Sequence, residues 1–214
     1  MTSFNAKRVR SDIPQLNRVV FDHPITYLDT ASTSLQPNAV IDAMSRYYQL
    51  RHANVHRAVY QTASEATAAY EGSREAVARF INAPGGAGEV VFTKNATEGL
   101  NLVAHTWGRT HLHEGDTIVL TEMEHHANIV PWHMLAAERG LTIRWIPVDD
   151  DGGLVLDNLE TLVDGAKLVG VTCMSNVLGT LNPVADLAAA AHAAGGQRPR
   201  RRLPAKPGSA SCGL

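Results

Sequence analysis

Short, uninterrupted apolar runs alternate with helix-like segments along most of the chain, and this alternation limits the possible folds more than any other feature. The predicted strands are residues 26–29, 89–93, 117–120, 141–148 and 168–172, and the predicted helices are residues 38–52, 64–81, 97–107, 129–139, 156–163 and 184–194. Continuous apolar strands separated by helices are typical of a mainly parallel sheet covered by helices. The sequence therefore predicts an α/β fold, whose ligands bind beyond the carboxyl ends of the strands.

Charge is distributed unevenly along the 214 residues. The chain has 19 Lys and Arg and 21 Asp and Glu, a net charge of -2. Five of the basic residues follow residue 196, where no acid occurs, so residues 1–196 keep 14 basic and 21 acidic side chains and a net charge of -7. The average therefore combines an acidic body with a basic tail.

The composition excludes several classes of protein. Hydrophobic residues make up 44% of the chain, which is too many for a wholly disordered protein. No run approaches the ~18 apolar residues of a membrane span, and the first residues lack the apolar core of a secretory signal. Two cysteines make no disulfide framework. We therefore expect a cytoplasmic protein with no membrane partner, and the acidic body argues against nucleic acid.

The first segment that could carry chemistry is FTKNATEGLN, residues 92–101. A predicted strand ends there and a helix begins at about Thr97. Free amides at a helix start, with a hydroxyl beside them, bind phosphate. Alternatively, Asn95 or Thr97 only caps the helix. The segment lacks the glycine spacing of a Walker loop.

Two further segments follow predicted strands. Adjacent His125 and His126 lack the spacing of metal ligands on one helix face, so we predict no metal site. One imidazole could instead stack on a planar ligand, or the segment is an ordinary loop with Asn128 as a helix cap. Asn176 could donate its amide to a ligand oxygen, or it is a turn residue.

Residues 52–57 offer a fourth candidate. His56 and Arg57 could reach a carboxylate of a ligand, because both side chains can be cationic donors. The alternative is a solvated loop that follows a helix. Taken alone, this segment favours the loop.

Taken together, these segments resemble the group II (Suf/Csd-type) cysteine desulfurases of the class V aminotransferase family. The resemblance rests on five segments that occur in the family's order and spacing: YLDTASTSLQP (27–37), NVHRAVYQTASEAT (54–67), FTKNATEGLNLVA (92–104), EMEHHANIVPW (122–132) and SNVLGTLNP (175–183). The resemblance implies the type I fold of pyridoxal-phosphate-dependent transferases, here a portion of the large domain. It also implies transfer of sulfur from L-cysteine, which leaves L-alanine and an enzyme persulfide for iron–sulfur cluster assembly.

The resemblance assigns roles to individual residues toward pyridoxal 5'-phosphate. Ala96 and Thr97 would bind its phosphate, His125 would stack on its ring and relay protons, and Asn176 would hydrogen-bond its phenolic oxygen. No metal ion is implied. The same resemblance implies a sulfur-acceptor protein as partner and a homodimer in full-length relatives.

The substrate side of the site is implied in the same way. Ala31, His56 and Arg57 would lie near L-cysteine. The division implied by the resemblance is an N-terminal segment (1–26), an incomplete cofactor-binding large domain (27–196) and a basic tail (197–214).

Three parts of the family's chemistry have no counterpart in these 214 residues. The aspartate that holds the pyridinium nitrogen, the Ser-x-His-Lys lysine that forms the Schiff base, and the persulfide-carrying cysteine are all absent. We therefore expect a truncated and inactive chain. Residues 198–205 can be encoded so that the reading frame one base later gives Val-Leu-Val-Asp-Gly-Cys-Gln, which resembles the family's strand and aspartate. This favours a frameshift near Gln197 over a natural basic tail, and sequencing of codons 195–206 tests it.

Two alternatives remain open from the sequence. A selenocysteine lyase or another class V aminotransferase-fold enzyme has the same fold, and the residues that discriminate it are absent here. In a different class, the chain is a non-catalytic fragment that binds a partner through its basic tail. Salt-dependent binding that requires residues 197–214 would favour the second alternative.

Overall fold

The computed structural model describes residues 4–57 and 59–195 and divides the chain into two compact units, Met1–Val90 and Val91–Leu214. The basic tail therefore lies outside the described residues, and so does the expectation of a frameshift. Among the described helices, none is long and apolar enough to cross a membrane.

The first unit is built mainly from helices. Val19–Val20 (β1) and His23–Pro24 (β2) form a short antiparallel hairpin. The hairpin's two turn residues, Phe21 and Asp22, both have positive φ, as a two-residue hairpin turn requires. The helices of this unit are α1 (Ala6–Asp12), α2 (Asn38–Leu50) and α3 (Gln61–Phe80). Small side chains on one face of α3, namely Ala63, Ala66 and Ala78, are its buried positions.

The second unit contains a three-stranded parallel sheet. Thr117–Thr121 (β3) lies between Thr142–Ile146 (β4) and Ala166–Gly170 (β5), in the order β4-β3-β5. Both pairings are parallel. Its helices are α4 (Ala96–Val103), α5 (Arg109–His111), α6 (Val130–Arg139), α7 (Leu159–Val163) and α8 (Val184–Ala193). This arrangement confirms the predicted α/β class and its parallel sheet.

Side chains of β3 alternate between two apolar clusters, because successive residues of a strand point to opposite faces. Ile118 and Leu120 pack in one cluster with Trp132 and Leu135 of α6. Val119 packs in the other, whose remaining buried members are Ile146, Ala166 and Leu187. The central strand is thus covered on both faces, which explains its uninterrupted apolar sequence.

The helix predicted at residues 97–107 is longer than expected. A π-helical stretch, Ala104–Gly108, joins α4 to α5. Gly108 is buried at this point, and a Cβ there would lie 2.7 Å from Leu135 Cδ2. Glycine at this position therefore allows the helix to approach α6 closely, and a larger residue would force the Leu135 side chain to move.

Two predicted strands are wrong. Residues 26–29 have no regular structure, and residues 89–93 continue from a 3-10 turn (Gly86–Glu89) without pairing. A strand is stabilised by hydrogen bonds to a neighbouring strand, and no described strand pairs with either segment. Their apolar and β-branched residues have a high propensity for strands, but no described strand pairs with them.

Smaller differences concern the ends of elements. Residues 156–158 precede the helix α7 and do not belong to it. The strand β5 ends at Gly170, before residues 171–172, which were predicted to continue it. In the second case the Thr172 amide donates to the Glu124 carboxylate rather than to a strand of the sheet.

Arg144 on β4 is expected to stabilise the second unit through its side chain. Its Nη1 donates to the carbonyls of Thr161, Leu162 and Asp164 at 2.6 to 3.1 Å, at the end of α7. A helix leaves its last carbonyls without partners, and a cation there is favourable. We expect Arg144→Met to lower the free energy of unfolding by about 1–2 kcal/mol in urea denaturation. Lys167→Met, at an exposed position of β5, is the matched control, and an equal loss there would contradict the assignment.

Candidate functional site

Two loops of the second unit begin at adjacent strand ends. Leu120 of β3 is paired with Gly170 of β5 in the parallel register, so both strands leave the sheet at the same edge. The chain that follows β3 contains His125, and the chain that follows β5 contains Asn176. Parallel sheets place their ligand sites at this edge.

The start of α4 is capped, as one of the two interpretations of its sequence predicts. Asn95 is the N-cap, and its side-chain oxygen accepts from the amide of Glu98 at 2.9 Å. The Glu98 carboxylate accepts in turn from the amide of Lys94 at 2.7 Å. This reciprocal arrangement resembles a capping box and fixes the point at which the helix begins.

Capping leaves two amides of the same helix start available. The N–H groups of Ala96 and Thr97 belong to the first turn of α4, where no carbonyl of the helix can accept from them. Asn95 engages the amide of Glu98 and not these two. Ala96 and Thr97 are both exposed, and the Thr97 hydroxyl lies on the same turn. The cap and the phosphate-binding interpretation are therefore compatible.

The predicted stacking histidine lies close to this helix in the fold. A 3-10 turn, His126–Asn128, follows His125 and packs against α4. His125 is exposed, and its Nδ1 accepts from the amide of Ala127 at 3.0 Å. An Nδ1 that accepts leaves the ring proton of the neutral imidazole on Nε2. The ring is therefore held from one side, and its Nε2–H remains for a ligand.

Asn176 lies in a rigid turn beyond β5. Residues 176–178 form the turn, which is closed by the Ser175 amide donating to the Thr180 carbonyl at 3.0 Å. The hydroxyl oxygen of buried Ser175 also accepts from the amide of Leu178 at 3.0 Å. Asn176 itself is exposed. Asn176 is therefore a turn residue whose side chain is exposed, which is compatible with both interpretations of its sequence.

Glu124 is a buried carboxylate beside the candidate site that sequence reasoning missed. It is 9% exposed, and its carboxylate accepts from the hydroxyl of Thr121, the amide of Thr172 and the side-chain amide of Asn128. Asn128 was considered only as a helix cap, but its side-chain oxygen accepts from the indole of Trp132 at 3.0 Å. No spacing in the sequence indicates these contacts, and the one local signal is that an acid directly precedes the histidine predicted to stack on a ligand.

Ala31, His56 and Arg57 belong to the first unit. Ala31 is exposed in a turn where the amides of Ser32 and Thr33 both donate to the Asp29 carbonyl. The hydroxyl of Tyr27 lies 2.6 Å from the Thr33 carbonyl and donates to it. The turn that carries Ala31 is therefore closed by local hydrogen bonds.

His56 is held in an unusual conformation. Its φ is 66°, its amide donates to the Thr67 hydroxyl at 3.0 Å, and its Nε2 lies 2.7 Å from Glu71 Oε1. Arg74 binds the other oxygen of Glu71 at 2.8 Å. A non-glycine residue with positive φ is uncommon and needs support from its surroundings. Arg57, which follows His56, is exposed.

The adjacent histidines do not form a metal site in the described part of the chain. Their ring centroids are 6.3 Å apart and tilted by 55°. Within residues 4–57 and 59–195, no group of three or more His, Cys, Asp or Glu side chains could hold a metal ion. The side chains at this edge are instead an imidazole, an amide and helix-start amides, which suit an anionic planar ligand.

Comparison with known proteins identifies a family. The family model described as aminotransferase class-V matches residues 26–197. The cysteine desulfurase of Serratia proteamaculans is 52% identical over 194 residues, which cover 90% of this chain and 48% of that protein. The cysteine desulfurase of Haloferax volcanii is 46% identical over 200 residues, covering 87% and 47%. The chain therefore spans about half the length of the curated relatives it matches.

Solved structures agree with this result. The apo cysteine desulfurase of Thermococcus onnurineus superimposes with a TM-score of 0.82 at 43% identity, covering 92% of this chain and 47% of that one. The cysteine desulfurase CsdA of Escherichia coli superimposes with a TM-score of 0.77 at 36% identity, covering 91% and 48%.

Proposed function

Because the chain belongs to the class-V aminotransferase family, we propose that it forms the cofactor-binding part of a pyridoxal-phosphate-dependent cysteine desulfurase. The fold prediction, a portion of the large domain of type I pyridoxal-phosphate-dependent transferases, is confirmed by the solved relatives. We also propose the domain division made from the sequence, with an N-terminal segment before residue 27 and a large-domain portion over 27–196.

One observation carries the proposal: a helix start with two available amides packs near a histidine turn at the ligand-binding edge of the sheet. The amides of Ala96 and Thr97 suit a phosphate because their donors and the positive end of the helix dipole point to the same place. The ring of His125 is exposed and held at Nδ1. Asn176 is exposed in a closed turn that follows the neighbouring strand β5. The residues present therefore fit three parts of the cofactor.

Each residue has a distinct part in the proposal. Ala96 and Thr97 would hold the phosphate, and Asn176 would donate its amide to the phenolic oxygen. His125 would face the ring, and its Nε2–H could exchange a proton with a bound substrate. When bound, pyridoxal 5'-phosphate supplies the electron sink that labilises the bonds around the α-carbon of an amino acid.

We propose L-cysteine as the substrate of the whole enzyme, with L-alanine and an enzyme persulfide as products. Ala31, His56 and Arg57 would line the substrate side, where the cationic side chain of Arg57 suits a carboxylate. The proposal includes a sulfur-acceptor protein, iron–sulfur cluster assembly as the destination of the sulfur, a homodimer and a cytoplasmic location. The names of the relatives support the reaction. The acceptor protein, the destination of the sulfur, the homodimer and the location are further parts of the proposal.

Binding of pyridoxal 5'-phosphate to the purified 214-residue chain tests the site. We expect saturable binding in isothermal titration calorimetry. His125→Ala and Asn176→Ala should each raise the Kd about 5- to 10-fold, because each removes a ring contact or one hydrogen bond. Thr97→Val removes only the hydroxyl and should weaken binding by a similar factor, and inorganic phosphate should compete.

His126→Ala is the matched control, because His126 is the exposed neighbour of His125 and has no assigned role. Its Kd should equal that of the unmodified chain. An effect of His126→Ala as large as that of His125→Ala would contradict the proposed site. So would binding that none of the three substitutions weakens.

A further inference from the structure

The Glu124 carboxylate connects the two loops that carry His125 and Asn176. Oε1 accepts from the Thr121 hydroxyl at 2.8 Å and from the Thr172 amide at 2.6 Å. Oε2 accepts from the side-chain amide of Asn128 at 2.9 Å. The contact with Thr172 joins residues that are 48 positions apart in the sequence. One buried side chain thus ties the segment after β3 to the segment after β5.

The direction of these hydrogen bonds is determined by their partners. The Trp132 indole can only donate, and it donates to Asn128 Oδ1 at 3.0 Å. The NH2 group of Asn128 must therefore face Glu124. A backbone amide also can only donate, so both oxygens of Glu124 meet donors. A carboxylate satisfies this arrangement, whereas a glutamine side chain would place its own NH2 group against one of them.

The loop after β5 is held from its other side as well. Asn182 is 9% exposed, and its side-chain amide donates to the Thr172 carbonyl at 2.8 Å. Its backbone amide donates to the Cys173 carbonyl at 2.9 Å. The segment from Thr172 to Asn182 is therefore a closed loop with the turn of Asn176 at its tip, and Thr172 is its attachment point.

Gly170 provides the space for this connection. It is the last residue of β5, and a Cβ there would lie 2.8 Å from Leu120 Cδ2 and 3.1 Å from Asn128 Nδ2. Any larger residue would displace the Asn128 amide that faces Glu124. The glycine at the end of β5 thus leaves the space in which Asn128 can donate to the Glu124 carboxylate.

We propose that Glu124 is a positioning residue that sets the placement of the Asn176 loop relative to His125. Glu124 does not itself reach the ligand: its oxygens are occupied by Thr121, Asn128 and Thr172. The inference rests on the proposed function, because it concerns how two cofactor-facing side chains are held together. A buried carboxylate that loses one partner is destabilised by the unmatched group, so the connection is sensitive to small changes.

The test uses the full 214-residue chain with Glu124→Gln. Amide hydrogen exchange at Thr172, measured by NMR, should become at least ~10-fold faster, since its acceptor is lost or reoriented. The indole N–H resonance of Trp132 and the amide resonance of Asn176 should both shift. Glu122→Gln is the matched control, because Glu122 is exposed and, among residues 4–57 and 59–195, its side chain accepts from the Val148 amide alone, at 3.3 Å. The control should leave the exchange at Thr172 and the resonances of Trp132 and Asn176 unchanged.

A second readout separates positioning from simple stabilisation. His125→Ala and Asn176→Ala each raise the Kd for pyridoxal 5'-phosphate by some factor in the otherwise unmodified chain. In a chain that also carries Glu124→Gln, each of these factors should be smaller by about threefold or more, because the two side chains no longer act together. A residue that only stabilises the fold would leave both losses unchanged. Unchanged losses, or an unchanged exchange rate at Thr172, would overturn the proposal.

If the chain does not bind pyridoxal 5'-phosphate at all, the proposed function fails. The exchange rate at Thr172 and the resonance shift at Asn176 need no ligand, so they still test whether Glu124 positions the loop. If Glu124→Gln does not fold, Thr121→Val replaces it. Valine keeps the shape of threonine but cannot donate to the Glu124 carboxylate, so one of the contacts that hold Glu124 is lost. Faster exchange at Thr172 together with a shift of the Asn176 amide resonance in Thr121→Val would support the proposal, and unchanged exchange and resonances would refute it.

Discussion

A chimera that joins residues 1–195 to the downstream half of the Serratia proteamaculans relative is expected to release alanine from L-cysteine at least ~10³-fold faster than the 214-residue chain. The four lysines of the chain are Lys7, Lys94, Lys167 and Lys206, and none has the family's Ser-x-His-Lys context. A lysine amine that holds the cofactor and a group that tunes its ring nitrogen are both required for this chemistry. The chimera supplies them, and in the proposal made above this chain would supply the contacts to the phosphate, the ring and the phenolic oxygen.

Alanine release is measured by amino-acid analysis after incubation with L-cysteine and added pyridoxal 5'-phosphate. The control is the same chimera with its anchoring lysine replaced by alanine, which should return to the rate of the 214-residue chain. Equal rates for the chimera and the 214-residue chain would contradict the prediction. Covalent retention of the cofactor by the 214-residue chain after borohydride treatment would show that another lysine replaces the missing one.

Leu120→Ala is expected to lower the free energy of unfolding of the second unit by about 3–4 kcal/mol. Leu120 is fully buried on the central strand β3, in the cluster with Ile118, Trp132 and Leu135. Covered strands cannot close around the space that a removed side chain leaves, so the lost burial and the cavity both contribute. Urea denaturation followed by tryptophan fluorescence measures the loss.

Leu102→Ala is the control for this substitution, because Leu102 lies on α4 with 42% of its surface exposed. Its cost should stay below about 1 kcal/mol, since a partly solvated leucine leaves no cavity. Equal costs at the two positions would mean that β3 is not the centre of the packed unit.

The apolar pattern predicted those elements whose partners are present among the described residues. The strand β3 was correctly predicted because it has neighbours on both sides and packed helices on both faces. Residues 89–93 have a similar β-branched sequence but no described strand beside them, and they are irregular. Strand propensity is a property of a segment, whereas strand formation is a property of a pair.

The predicted cofactor-side residues also show where local signals suffice. Asn95 and Thr97 could be located because capping and phosphate binding both depend on the few residues around a helix start. From the sequence, capping and phosphate binding stood as alternatives. The structure makes them compatible, because the Asn95 cap takes the amide of Glu98, which leaves those of Ala96 and Thr97.

The sequence by itself determined the α/β class and the positions of most helices and strands, because these depend on periodicity and on motifs of a few neighbouring residues. Only the tertiary structure decided that Glu124 joins the loops of His125 and Asn176. Its hydrogen bond to Thr172 joins residues that are 48 positions apart. The strength of the connection depends on the burial of the carboxylate, on the orientation of Asn128 that Trp132 imposes, and on the space left by Gly170. Hydrogen-bond partners that are distant in sequence are brought together by the sheet register, which no local pattern specifies.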